Sequence, residues 1–145
     1  MTVAELPSPA PGWAFRHSIR VRYQEVDAQK VVFNAHYLAY CDEAVSTWLG
    51  EVYGWDGTTD DHFDWMLVKV VLEWRGSAGF RDVIDVDMGV SRWGTTSFDV
   101  RFAGSVRDRA VFDATITYVC VQPGANTKIA VPDDLRQLLG DAPPR

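Results

Sequence analysis

Two cysteines in 145 residues are too few for a disulfide framework, and neither Cys41 nor Cys120 belongs to a CxxC pair. Both fall in segments patterned as a helix and a strand, so buried free thiols and a reducing compartment are expected. Lysine is nearly as scarce. Three Lys and 11 Arg stand against 20 acids, and a net charge of −6 offers no basis for a nucleic-acid surface. No run of about eighteen apolar residues occurs, which argues against a helical membrane span. The opening MTVAELPSPAPG lacks a basic stretch followed by an apolar one. No secretory leader is therefore expected, and a cytoplasmic location is. Three catalytic patterns are also missing. There is no GxSxG elbow, no GxxxxGK[ST] loop and no GxGxxG fingerprint, which removes α/β-hydrolase, P-loop and Rossmann chemistry. His62 lies among Asp60, Asp61 and Asp64, yet no second His or Cys accompanies it, so no metal site is read there.

What remains is an ordinary globular composition, 47% hydrophobic, of a length suited to one domain. Pro7, Pro9 and Pro11 mark residues 1–14 as a flexible tail, residues 141–145 as a second, and 15–140 as the domain. Arg16–Gln24 alternates, Ile19, Val21 and Tyr23 against Arg20 and Arg22, as a half-buried strand does. Asn34 is placed to cap a long helix in which Leu38, Cys41, Val45, Trp48, Leu49 and Val52 recur at helical spacing. Gly54 should stop that helix. After an acidic loop, Trp65–Trp74 is almost continuously apolar, the pattern of a strand covered on both faces. Three more strands follow, over Asp82–Trp93, Thr96–Arg107 and Ala110–Gln122. Pro132 opens a short final helix that Gly140 ends. The order predicts an α+β domain: a curved antiparallel sheet of about five strands wrapped around one long helix, plus a short C-terminal helix.

The chemistry concentrates in VRYQEVDAQKVVFNAHYLAYCDEA, residues 21–44. Asp27 sits in a turn seven residues before Asn34. A carboxylate is thereby brought near a helix N-terminus, where free backbone N–H groups concentrate positive potential. An acid facing such an oxyanion site suits hydrolysis of an activated acyl group.

The string D-A-x-x-V-V-F-N-A-x-Y-L-x-Y-x-x-x-A resembles the signature of hotdog-fold acyl-CoA thioesterases of the 4-hydroxybenzoyl-CoA thioesterase type, most closely over residues 20–44. The resemblance implies that Asp27 is the catalytic carboxylate, as nucleophile on the thioester carbonyl or as base toward water. It also implies that the backbone N–H at Asn34 polarises the thioester oxygen. Val32, Phe33, Ala35, His36 and Tyr37 would then contact the acyl group. Lys30 stands where relatives usually carry glycine, and is expected either to hold Asp27 ionised or to meet a phosphate. The turn Thr95, Thr96 and Ser97 is a candidate contact for the pantetheine or nucleotide portion. Asp42 and Glu43 are reserve carboxylates on the helix. The resemblance implies no metal or redox cofactor, an acyl-CoA substrate, and a homodimer or homotetramer whose sites combine two subunits. An acyl-carrier-protein substrate and a non-catalytic acyl-binding or assembly domain are the alternatives. Asp27→Asn separates catalysis from binding.

Overall fold

The computed structural model describes residues 7–56 and 63–140. Strands β1 (Phe15–Arg20), β2 (Asp64–Trp74), β3 (Val83–Trp93), β4 (Ser97–Val106) and β5 (Arg109–Val121) form one antiparallel sheet in the order β1-β3-β4-β5-β2. Helix α1 (His36–Tyr53) lies between β1 and β2 in sequence, and α2 (Asp133–Leu139) closes the described chain. This is the predicted element order. The Asp60, Asp61 and His62 cluster and the two terminal segments, 1–6 and 141–145, lie outside the described residues.

Period-two patterning sets which side of the sheet is covered. Ile84, Val86, Met88 and Val90 of β3, and Phe98, Val100 and Phe102 of β4, are buried. They form one core with Tyr37, Cys41, Ala44, Val45, Trp48 and Leu49 of α1. Gly54, at φ 78, ends α1 in the left-handed conformation that glycine adopts cheaply. The β4–β5 turn uses Arg107 and Asp108, at φ 50 and 65, as the two positive-φ residues a tight hairpin demands. Cys41 and Cys120 are free and buried, as expected, and burial pushes the Cys120 thiol up to about 11.

Two expectations change. The first strand stops at Arg20, because Tyr23–Glu25 winds into a 3-10 turn. The apolar β2 is not covered on both faces. It is an edge strand, and Met66, Leu67, Val68, Val71 and Trp74 are all exposed. The polar side of β3 holds a buried ion pair that alternation alone disguises. Asp87, only 5% exposed, accepts from Nε and Nη2 of Arg16 at 2.7 and 2.9 Å.

Close approach, rather than conformation, explains Gly104. It faces Phe112 across β4 and β5, and a Cβ there would lie 2.1 Å from the Phe112 ring. Gly104→Ala should therefore cost ~1–3 kcal/mol through overpacking. A fall in the urea midpoint at constant m-value would confirm it, and an unchanged midpoint would contradict it.

Candidate active site

Asp27 begins a tight ribbon. Its N–H donates to the carbonyl of Val31 at 2.9 Å, and the Lys30 N–H donates back to the Asp27 carbonyl at 2.9 Å. Val26 pairs with Val32 one step further on. The loop is thus the three residues Ala28, Gln29 and Lys30, with Lys30 at φ 66. A three-residue hairpin of this kind ends in a left-handed residue, the position glycine favours. The turn keeps its geometry with lysine in place, at a cost of ~1–2 kcal/mol. Among the described residues no ion pair joins Lys30 to Asp27. The two reach each other only by lining the same cleft.

One oxygen of Asp27, Oδ1, accepts the Gln29 N–H at 2.8 Å. Oδ2 has no hydrogen-bond partner among the described residues. The carboxylate is therefore oriented by one bond, with its second oxygen left free of one.

Glu25 holds this ribbon in place, and nothing in the alternation of Arg16–Gln24 singles it out. It is 3% exposed. Oε1 accepts from the Arg22 N–H at 2.8 Å and from the Tyr40 hydroxyl at 3.0 Å, and Oε2 accepts from Nη2 of Arg22 at 2.8 Å. Its own carbonyl accepts the Phe33 N–H at 2.9 Å. One residue thereby ties the exit from β1, the returning arm of the ribbon and the second turn of α1. Burial acts to raise the Glu25 pKa, but the bonds from Arg22 and Tyr40 outweigh it and leave the value below normal. Burial, together with the Glu25 bond, pushes the Tyr40 phenol well up.

Helix α1 starts at His36, one residue later than a cap at Asn34 would put it, with Ala35 at the cap position and no side-chain cap bond. Asn34 is not the cap. The His36 N–H bonds to the Phe33 carbonyl and the Tyr37 N–H to that of Asn34, which makes a tight turn ahead of the helix. The backbone N–H groups of Asn34 and Ala35 have no acceptor among the described residues. They are the free donors at the positive end of the helix. Val31 is opposite Asp27, so Asn34 lies three residues along the ribbon, about 10 Å at the usual strand rise.

Beside the ribbon lies an open cleft of about 490 Å³, lined by Tyr23, Gln24, Val26, Asp27, Lys30 and Phe80. The rings of Tyr23 and Phe80 meet edge to face at 5.7 Å. Neither residue was suggested by the motif, since Phe80 arrives from the β2–β3 connection. The six tryptophans supply none of this lining. Trp48 is core, and Trp65 and Trp93 pack with Tyr118 and Phe98 toward the opposite end of the sheet.

The other expected site residues divide. Phe33 is 50% exposed and stacks edge-on against His36, and Ala35 is exposed beside them. Val32 and Tyr37, each 2% exposed, belong to the core. The Tyr37 ring packs on Tyr40, Trp74 and Phe112. Thr95, Thr96 and Ser97 form the β3–β4 turn, an 11-residue strand away from the Asp27 end, and are not brought to Asp27 within one protomer. Of the reserve carboxylates, Asp42 is exposed, and Glu43 lines a separate cleft of about 450 Å³ between β1 and α1 with His17, Arg20 and Arg22. Burial lowers the pKa of His17, and the charge of Glu43 opposes that shift.

The family model described as "Thioesterase-like superfamily" matches residues 21–139. A 1,4-dihydroxy-2-naphthoyl-CoA hydrolase from Nostoc punctiforme is 23% identical over 128 residues, covering 87% of this chain and 86% of that protein. Among solved structures, a thioesterase-superfamily protein from Jannaschia sp. CCS1 superposes with a TM-score of 0.83 at 25% identity, covering 92% of this chain and 96% of the other. A 1,4-dihydroxy-2-naphthoyl-CoA thioesterase from Synechocystis gives 0.74 at 19% identity, covering 86% and 94%.

The depressed pKa of Glu25 carries a sign. A carboxyl with a folded pKa below its unfolded one stabilises the fold above the unfolded value, and the gain fades as pH falls through the folded value. Glu25→Gln should cost ~2 kcal/mol at neutral pH, and the gap to wild type should narrow below about pH 4. Denaturant unfolding at both pH values measures it. A gap that does not change with pH would rule out the charged clamp.

Proposed function

The chain belongs to the thioesterase-like superfamily, and from that premise we propose that it hydrolyses an acyl-CoA to the free acid and CoA at the Asp27 ribbon. The observation that carries the reading is the pairing of a carboxylate, one oxygen held and one free, with two unpartnered N–H groups at the start of α1. Asp27 acts from its ionised form, either attacking the thioester carbonyl or taking a proton from water. The Asn34 and Ala35 N–H groups face the carbonyl oxygen as charge develops on it. One such donor is worth ~3–4 kcal/mol in the transition state. Tyr23, Val26 and Phe80 give the acyl group an apolar, largely aromatic wall. Relatives named for naphthoyl-CoA substrates fit an aryl acyl group there.

The working unit in this proposal is a dimer. The free edge of β2 offers unpaired backbone groups and a row of bare apolar side chains, a surface that pairing with a second copy would cover. Antiparallel pairing of β2 with β2 of another copy reverses the partner's sheet. The partner's β3–β4 turn then comes to the end where Asp27 lies. Thr95, Thr96 and Ser97 would serve the CoA portion from across the interface, which accounts for their distance from Asp27 within one protomer.

Release of CoA thiol from short, long and aromatic acyl-CoAs tests the chemistry. Asp27→Asn should lower kcat by ~100-fold or more in a protein that still folds. Equal, near-background rates for both proteins would leave the acyl-binding alternative. Val71→Glu, on the exposed β2 edge, should shift sedimentation from dimer to monomer and remove turnover with Asp27 intact. Full activity from a monomer would refute the shared site.

A further inference from the structure

We propose that the acyl group carries a negative charge of its own, a carboxylate on an apolar body, and that Lys30 recognises it. The inference rests on the thioester reading and names the acyl class within it. Lys30 is the one cation lining the cleft among the described residues. Neither it nor the neighbouring Arg81, whose guanidinium stacks over Phe80 at 5.1 Å, has an ion-pair partner among the described residues. Both stand at positive φ, 66 and 68, where glycine would be less strained. Their turns are neighbours, since Val31, next to Lys30, bridges to Gly79, two residues before Arg81. Lys30 thus sits on a strained turn in the cleft, beside two exposed aromatic rings, with Arg81 behind one of them. Tyr23 is 78% exposed and Phe80 46%.

Distance decides where that anion is carried. Lys30 and Asp27 line the same cleft and are joined across one turn by a 2.9 Å main-chain bond, so a group touching Lys30 lies close to Asp27. The phosphates of CoA are separated from the thioester by the whole pantetheine arm. A carboxylate on the acyl portion is already near the reacting carbon. The same ammonium offsets the repulsion that such a carboxylate would feel from ionised Asp27.

The test is binding of non-hydrolysable thioethers. S-(4-carboxybenzyl)-CoA is compared with S-benzyl-CoA, and each with its pantetheine counterpart lacking phosphates, by calorimetry. Wild type should bind the carboxylated member about tenfold or more tightly, with or without the phosphates. That ratio should fall to near one in Lys30→Gln and in Lys30→Gly, which relaxes the turn, and persist in Lys30→Arg. A wild-type ratio near one, or a ratio untouched in Lys30→Gln, overturns the proposal. So does equal weakening of both CoA ligands in Lys30→Gln with no change for the pantetheine pair, which would place a CoA phosphate at Lys30. The ratio needs no turnover. Failure of wild type to release CoA from the matching thioesters would sink the thioesterase reading without touching it.

Discussion

The geometry of the Asp27 ribbon depends on one buried carboxylate at its base, Glu25. Glu25 is surrounded by donors from Arg22, Tyr40 and its own ribbon, and its charge has been withdrawn from water. A buried ion of this kind is costly to strand, so its partners are held in one arrangement. The carboxylate joins two segments, the exit of β1 and helix α1, and the main-chain carbonyl of the same residue adds the returning arm of the ribbon. With Glu25 seated, the hairpin loop has one geometry and the free N–H groups at the helix start have one direction relative to Asp27. Orientation on this scale is what separates a carboxylate near a helix from a site that can stabilise a transition state.

The sheet contributes through its ends more than its faces. Antiparallel order puts the start of β3 and the end of β2 at the same rim, so the β2–β3 connection passes beside the ribbon. Val32 donates its N–H to the Ala78 carbonyl, and Phe80 completes the cleft wall. The opposite rim collects the aromatic packing of Trp65, Tyr118, Phe98 and Trp93 around α2, where the Arg136 guanidinium lies over Trp93 at 5.3 Å. One rim is solid and the other is left open.

How much of this was legible varies with the range of the interaction concerned. The helix, its glycine stop and the strands of β3 to β5 follow from periodicity, which is local. Asp27 and the turn after it were legible because a motif spans them. Glu25 was not, since a glutamate after Arg22-Tyr23-Gln24 looks solvated until Tyr40 is folded over it. Phe80 was equally hidden, because its approach to Tyr23 depends on how a distant connection crosses the rim. Val32 and Tyr37 read as pocket residues from their place in the motif, yet their side chains point into the core. The apolar run of β2 has the pattern of a doubly covered strand, yet it lies at the sheet edge with apolar side chains exposed. Hydrophobicity records that a face is kept from water and is silent about whether the covering comes from the same chain.

The closure of the ribbon has a consequence for how such a protein can diverge. The segment from Val26 to Val32 is bounded by the bonded pair Glu25 and Phe33, and its main-chain bonds run between its own residues, back to the Tyr23 carbonyl and to the Ala78–Gly79 backbone. Substitutions at its exposed tip, Ala28, Gln29 and Lys30, alter the surface while the scaffold on either side keeps its own bonds. The fold therefore behaves as a fixed chassis with an interchangeable tip, where the sequence can change without first destabilising the domain.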